Sequence, residues 1–161
     1  MNNKSMNRSK PDENVYKRWG HYHTGLALKD QEYFAGYLKL VGKVAKPGDR
    51  LLEIGCGSGT SVEALRGAGY NALGCDMFIG SQIFKPFVLG SGLQLPFASE
   101  SFDVVASNSY LEHVSNVNTA LAEMKRICKT EGYIVIRCPN LLSPIHPLKA
   151  LLYYRYVYRK N

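Results

Sequence analysis

The chain has 161 residues, the size of one domain and enough for a sizeable core. Its hydrophobic content of 45% is ordinary for a globular protein, and no uncharged apolar run is long enough to span a membrane. The formal net charge of +7 comes largely from lysines and arginines near the two ends. That distribution indicates solvated termini rather than a nucleic-acid-binding surface.

The N-terminal residues and the cysteines bear on location. Residues 1–14 are polar and lack the apolar segment of a secretory signal, so we predict a disordered tail there. The four cysteines are scattered and form no C-x-x-C pair. This pattern favours reduced thiols over disulfides or metal ligands. We therefore expect a cytoplasmic protein with no bound metal.

Helical and strand patterns alternate along the rest of the chain. Residues 15–45 are predicted as an N-terminal lid and helical segment, in which Asp30 is the N-cap and Phe34, Leu38 and Val41 share one helical stripe. Residues 46–140 form the main domain, in which 61–69 and 116–129 have helical spacing. Five apolar runs without polar alternation are predicted as strands: 50–55, 70–76, 86–90, 101–108 and 133–139. This order predicts a doubly wound, mostly parallel α/β sheet.

A glycine-rich turn follows the first predicted strand. The segment LLEIGCGSGT ends an apolar run at Glu53 and then places Gly55, Gly57 and Gly59 at alternate positions. Glycines here allow positive φ and let a ligand approach the backbone closely. Ligands of such sheets bind at the carboxyl ends of the strands. We therefore predict a ligand cradle at this turn.

Two nucleotide ligands compete for the cradle. A nicotinamide or flavin dinucleotide favours G-x-G-x-x-G, but Thr60 occupies the third position, and the carboxylate of Glu53 would repel a pyrophosphate. S-adenosylmethionine carries an ammonium and a sulfonium, both of which suit a carboxylate. Asp76 ends the second strand about 20 residues later and fits the ribose hydroxyls of either ligand. Electrostatics favours the methyl donor.

Several blocks in order resemble a class I S-adenosylmethionine-dependent methyltransferase, and the chain is most similar to the type 11 methyltransferase-domain group. The blocks are LLEIGCGSG, GCD, LQLPFASESFDVVASNSYLEHV and ALAEMKRICKTEGYIVIRCPN. The resemblance implies that Asp76 binds the ribose of the donor and that Asn108 lies below its sulfonium. It assigns four residues to the methionine moiety: Glu53, Gly55, Cys56 and Gly57. Gly59 is also expected to bind the cofactor, and three residues are assigned to the adenine: Met77, Gly92 and Leu93.

The resemblance also implies in-line methyl transfer to a small-molecule or lipid-like acceptor. His113, after the fourth strand, is the candidate general base. Glu112 and His113 resemble half of the metal site of some relatives, but Ser109 replaces a further acid, so no metal is expected. An aromatic and imidazole cluster near the N-terminus is the candidate acceptor lid: Tyr16, Trp19, His21, Tyr22 and His23.

The family fold continues into a sixth and seventh strand, whereas this chain ends at Asn161. The fifth strand is therefore expected at a sheet edge. Residues 141–161, basic and rich in tyrosine, are predicted to be helical and to cover that edge, meet a second subunit or touch a membrane. Two other functions stay open: a non-catalytic donor-binding or scaffold domain, and a dinucleotide-binding oxidoreductase.

Overall fold

The structure is a computed structural model that describes residues 29–78, 86–139 and 153–161. Three helices, six strands and one 3₁₀ turn occur in these ranges. In chain order they are α1 (Lys29–Val41), β1 (Arg50–Ile54), α2 (Thr60–Gly67), β2 (Asn71–Asp76), β3 (Phe87–Leu89), β4 (Phe102–Asn108), the 3₁₀ turn (Leu111–His113), α3 (Val117–Ile127), β5 (Cys128–Pro139) and β6 (Tyr153–Arg159).

The six strands form one sheet in the order β3-β2-β1-β4-β5-β6. The first five are parallel, and β6 pairs antiparallel with β5. The order runs from β1 to β3 in one direction and from β4 to β6 in the other, so it reverses between β1 and β4. The mostly parallel α/β fold predicted from sequence is confirmed, and a crevice for a ligand is expected at this reversal.

Both faces of the sheet are covered, which explains why the strand sequences do not alternate. Leu51 and Leu52 are adjacent in β1 and both fully buried. Leu51 packs with Tyr37 of α1 and Leu65 of α2, on what we call the α1/α2 face. Leu52 packs with residues of α3 such as Met124, on the α3 face.

Helix ends follow ordinary capping chemistry. Gly69, at φ +93°, lies just past the end of α2, and the amides of Gly69 and Tyr70 donate to the carbonyls of Arg66 and Leu65. This is a Schellman motif, in which a glycine in the left-handed region ends the helix. The side chain of Asn116 caps α3 by accepting from the amide of Thr119 at 3.0 Å.

Two predicted boundaries were wrong. Asp30, predicted as an N-cap, lies inside α1, which includes Lys29. Strand β5 begins at Cys128, directly after α3, rather than at Tyr133. The cause is a register irregularity: Phe102 of β4 pairs with Cys128 before the regular pairing of Val104 with Tyr133 begins.

The helical prediction for 141–161 was wrong where the structure describes this segment. Tyr153–Arg159 is strand β6, which pairs along its full length with Tyr133–Pro139 of β5. Tyrosine and valine favour strands, and the open edge of β5 offers backbone partners. The end of the strand is fixed by ion pairs of Arg159 with Glu131 and of Lys160 with Glu100. Strand β5 is therefore not a sheet edge.

Candidate functional site

The turn after β1 folds back over β2. Gly55, Gly57 and Gly59 all have positive φ, at +71°, +54° and +84°, so this path needs the glycines that the sequence supplies. The amides of Gly55 and Cys56 donate to the carbonyl of Cys75 at 2.8 and 3.4 Å. These bonds hold the turn at the carboxyl end of β2.

Asp76 ties the end of β2 to this turn. Its Oδ2 accepts from the amide of Gly57 at 2.9 Å, and its Oδ1 accepts from the amide of Phe78 at 3.0 Å. Each carboxylate oxygen has further lone pairs, so the side chain keeps the capacity to accept from a pair of hydroxyls. Met77 follows with 47% of its surface exposed, an apolar side chain beside a polar acceptor.

Cys56 has a structural role in the turn. Its side chain is buried against Gly74 of β2, where a β-carbon would lie 2.6 Å from its Sγ. Burial raises the pKa of this thiol well above its usual range, and the carboxylates of Glu53 and Asp76 act in the same direction. Cys56 is thus a neutral packing group rather than a nucleophile.

The loop after β3, which carries the predicted adenine residues Gly92 and Leu93, is held by α3. The carboxylate of Glu123 accepts from the amide of Leu95 at 2.7 Å. The guanidinium of Arg126 donates to the carbonyls of Leu95 and Phe97 at 3.0 and 2.8 Å and pairs with Glu123. The ring of Phe97 packs edge-on against that of Phe102, which anchors the LPF segment on the α3 face of the core.

Glu53 lies deeper than its position near the strand end suggested. Its side chain points to the α1/α2 face and is 1% exposed. Burial raises the pKa of Glu53 to about 7, and the hydroxyls of Ser61 and Tyr37 offset part of this rise. A charge that approached this region would shift the carboxylate between its neutral and ionised forms near neutral pH.

Further polar groups occupy the carboxyl ends of β4 and β5. Asn108 and Arg137 are register partners on these strands, and Arg137 is 4% exposed. The buried Oδ1 of Asn108 has no hydrogen-bond partner within the described ranges. Because buried acceptors are normally hydrogen-bonded, we expect the donor to come from a group outside the described residues.

The turn after β4 consists of residues with side chains, whereas the turn after β1 is rich in glycine. Ser109 has φ +55°, and its amide donates to the carbonyl of Arg137 at 2.8 Å. The 3₁₀ turn then places Glu112 Oε1 3.9 Å from Nε2 of the exposed His113. Burial raises the pKa of Glu112, whereas His113 and Ser109 act in the opposite direction.

The charges of the site discriminate between ligand classes. Asp76 accepts from the amide of Gly57 in the glycine turn, and Glu63 adds a carboxylate in the first turn of α2. A pyrophosphate at the N-terminus of this helix would meet these negative groups, whereas a cationic ligand would be attracted. The arrangement therefore suits a ligand that carries positive charge.

The family follows from a match of this region to known sequences. A family model described as "Methyltransferase domain" matches residues 52–136, which include the glycine turn, Asp76 and the turn after β4. The chain belongs to this family. It is a class I S-adenosylmethionine-dependent methyltransferase domain, as the sequence blocks indicated.

Individual relatives agree with this assignment. The chain is 30% identical over 119 residues to a demethylmenaquinone methyltransferase of Corynebacterium efficiens, with 71% of this chain and 51% of the relative covered. It is 34% identical over 121 residues to the corresponding enzyme of Paenarthrobacter aurescens, with 71% and 47% covered. The methyltransferase domain thus spans about half the length of these curated relatives.

A solved structure supports the fold. A Methanococcus maripaludis protein assigned as an S-adenosylmethionine-dependent methyltransferase superposes with a TM-score of 0.64 at 19% identity. The match covers 84% of this chain and 67% of that protein. At this identity the likeness concerns the fold.

The structure brings many of the predicted residues together. A hydrogen bond connects the glycine turn with Asp76, and Gly55 and Gly92 both lie against the ring of Tyr110. His113 lies on the turn after β4, whereas the predicted lid, residues 16–23, falls outside the described residues. In the ranges that the structure describes, no group of three or more potential ligands is placed to hold a metal ion, and no helix there is long and apolar enough to cross a membrane.

Sequence reasoning missed the supporting side chains. Tyr37 lies beside Glu53 and Arg137 lies near Tyr37, but both are far from Glu53 in sequence, so no local pattern marks them. Glu123 and Arg126 have the spacing of a helical ion pair, which was a usable signal. Tyr110 was also missed, and its role depends on tertiary contacts.

Proposed function

We propose that this domain binds S-adenosylmethionine at the carboxyl edge of β1, β2 and β4 and transfers its methyl group to a small-molecule or lipid-like acceptor. One observation carries the proposal. The glycine turn is hydrogen-bonded to a carboxylate that can still accept from two hydroxyls, at the point where the strand order reverses. This pairing suits a nucleoside whose amino-acid end extends along the turn.

The residues fit the donor in several ways. Asp76 would accept from the ribose hydroxyls, and the exposed Met77 would pack against the adenine with Gly92 and Leu93. The methionine end would lie along the turn of Gly55, Cys56, Gly57 and Gly59, where the glycines leave the backbone without side chains. Asn108 contributes a buried carbonyl oxygen whose partner is absent from the described residues. Ionised Glu53 would favour the positive charge of the donor through the turn.

The chemistry asks little covalent participation of the protein. A sulfonium is an excellent methyl donor, so the chain has chiefly to align the acceptor with the methyl group and exclude water. Where the acceptor atom carries a proton, His113 would accept it. Glu112, 3.9 Å away, would stabilise the imidazolium that forms.

The acceptor class is suggested by the relatives, which are named for demethylmenaquinone. We propose a quinol-like acceptor with an apolar tail. Tyr16, Trp19, His21, Tyr22 and His23 would form the lid over it. Residues 141–161 would add contact with a second copy or with the membrane that holds such an acceptor, in a cytoplasmic protein.

Calorimetric titration tests donor binding. S-adenosylhomocysteine should bind at micromolar concentration and NADH should not. A binding signal with NADH and none with S-adenosylhomocysteine would support the oxidoreductase alternative and contradict the proposal.

A transfer assay separates an enzyme from a binding domain. Tritium from labelled donor should enter a demethylated naphthoquinol in the presence of the chain and not in the presence of the Asp76→Ala variant. Because the chain spans half of its relatives, a donor-binding domain without activity is the second candidate. Tight S-adenosylhomocysteine binding with no transfer would favour it.

A further inference from the structure

The ring of Tyr110 lies over two glycines from different turns, Gly55 and Gly92. A β-carbon on Gly55 would lie 2.5 Å from Cδ2 of Tyr110 and 2.7 Å from its Cβ and Cγ. A β-carbon on Gly92 would overlap the tyrosine hydroxyl and lie 2.7 Å from Cζ. The phenol therefore bridges the turn after β1 and the loop after β3.

The two glycines are needed for different reasons. Gly55 has φ +71°, so its backbone conformation alone disfavours a side chain. Gly92 has no positive φ, and a β-carbon there would meet the Tyr110 phenol and, at 3.0 Å, Cγ2 of Ile54. The absence of a side chain at Gly92 is thus matched to the space that the phenol occupies.

The backbone fixes where this ring starts. Ser109, in the left-handed region, turns the chain at the end of β4 and is held by the carbonyl of Arg137. The amide of His113 donates to the carbonyl of Tyr110 at 3.0 Å. With the main chain held on both sides, rotation about the side-chain bonds of Tyr110 is the simplest way to uncover the glycines.

We propose that Tyr110 is the gate of the donor crevice. This inference rests on the proposed function, because Gly55 and Gly92 are the surfaces that the donor would contact. Ring and donor cannot occupy the same face of these glycines. In this position the phenol closes the crevice, and donor binding requires the ring to rotate away.

A gate and a fixed wall have opposite consequences. Where a closed form dominates, the apparent affinity equals the affinity of the open form multiplied by the fraction of molecules that are open. Removal of the ring should then tighten binding, by about fivefold where about four in five molecules are closed. If the ring were instead a fixed wall that contacts the bound donor, its removal would eliminate that contact and weaken binding.

Calorimetry with S-adenosylhomocysteine tests the sign. Tyr110→Ala should bind about fivefold more tightly than the unmodified chain, whereas Tyr110→Phe, which retains the ring, should bind within twofold of it. Tyr158→Ala removes a tyrosine that is 41% exposed at the sheet edge and should leave the affinity unchanged. Weaker binding by Tyr110→Ala, with binding by the unmodified chain intact, would overturn the gate alone. Absence of binding by every variant would overturn the proposed function as well.

A spectroscopic measurement covers the case in which Tyr110→Ala does not fold. Tyrosine-ring resonances of the labelled unmodified chain can be compared with those of Tyr110→Phe to identify the Tyr110 signal. That signal should shift on addition of S-adenosylhomocysteine as the ring leaves the two glycines. An unchanged Tyr110 signal at saturating ligand would contradict the gate.

Discussion

The chain leaves β1 through Gly55, at φ +71°, and leaves β4 through Ser109, at φ +55°. Both residues end buried strands at the same edge of the sheet, and both turns depend on a left-handed residue. After β1 the chain continues with small residues and exposes backbone. After β4 it continues with Tyr110, Glu112 and His113, which place an aromatic ring and ionisable groups beside that backbone.

The difference separates binding from chemistry. In the proposed function the first turn makes room for the donor and Asp76 binds its ribose, an arrangement that local sequence marks. The second turn supplies the side chains that cover the crevice and could move a proton. A left-handed residue other than glycine costs of order 1 kcal/mol or more, and it occurs here where the chain aims those side chains.

The largest expected effect breaks the first turn. Gly55→Val would place a branched side chain at positive φ and against the Tyr110 ring. We expect a loss of about 3 kcal/mol or more in the free energy of unfolding and no measurable donor binding. Denaturant unfolding and calorimetry check this. Gly67→Val, at a glycine with ordinary φ and open space around it, should cost far less, and equal losses would contradict the account.

A pH profile tests the buried carboxylate between the two turns. Because the pKa of Glu53 is raised from 4.5 to about 7, the folded chain keeps a proton that the unfolded chain has lost in this range. The free energy of unfolding should therefore fall between pH 4.5 and 7, by at most about 1.4 kcal/mol per unit, and level off above.

Variants isolate this contribution. Glu53→Gln should flatten that part of the profile, whereas Glu63→Gln, on the exposed side of α2, should keep it. The same slope in Glu53→Gln as in the unmodified chain would show that Glu53 is not the group that titrates.

The ribose contact of the first turn is tested by Asp76→Ala. Loss of the carboxylate removes the acceptor for the Gly57 amide and for the proposed ribose. S-adenosylhomocysteine binding should weaken at least tenfold, about 1.4 kcal/mol. Asp49→Ala is the matched control, since Asp49 accepts from the Lys46 amide at 2.7 Å in a turn before β1. Unchanged affinity in a folded Asp76→Ala chain would remove the ribose assignment.

The smallest effect concerns the loop opposite the first turn. Glu123→Gln should loosen the loop that carries Gly92 and Leu93, because a neutral amide pairs less well with Arg126 and with the Leu95 amide. We expect donor affinity to fall about threefold, about 0.6 kcal/mol. Amide hydrogen exchange across residues 91–97 should speed up. Affinity and exchange as in the unmodified chain would show that α3 does not position the loop.

Sequence alone located the first turn far better than the second. The glycines and Asp76 are marked by local spacing and by the ends of apolar runs. The burial of Glu53 was not visible, because it depends on Tyr37 and Ser61 from two other elements. Tyr110 carries no local mark either, since only the folded chain brings Gly55 and Gly92 to its ring.

The strand predictions succeeded where the signal is local and failed where it depends on the folded sheet. Strands β1–β5 each contain a short apolar run without polar alternation, which marks a strand buried on both faces. Strand β6 mixes tyrosines with Arg155 and Arg159, a pattern that also suits an amphipathic helix. The segment forms a strand because the edge of β5 offers backbone hydrogen-bond partners. That edge is a property of the sheet and cannot be read from the segment itself.

A crystal structure with S-adenosylhomocysteine tests the central claim most directly. The account predicts the ribose hydroxyls within hydrogen-bonding distance of Asp76 and the amino-acid end along Gly55–Gly59. Electron density that shows the nucleoside elsewhere, or no ligand at this edge of the sheet at saturating concentration, would contradict it.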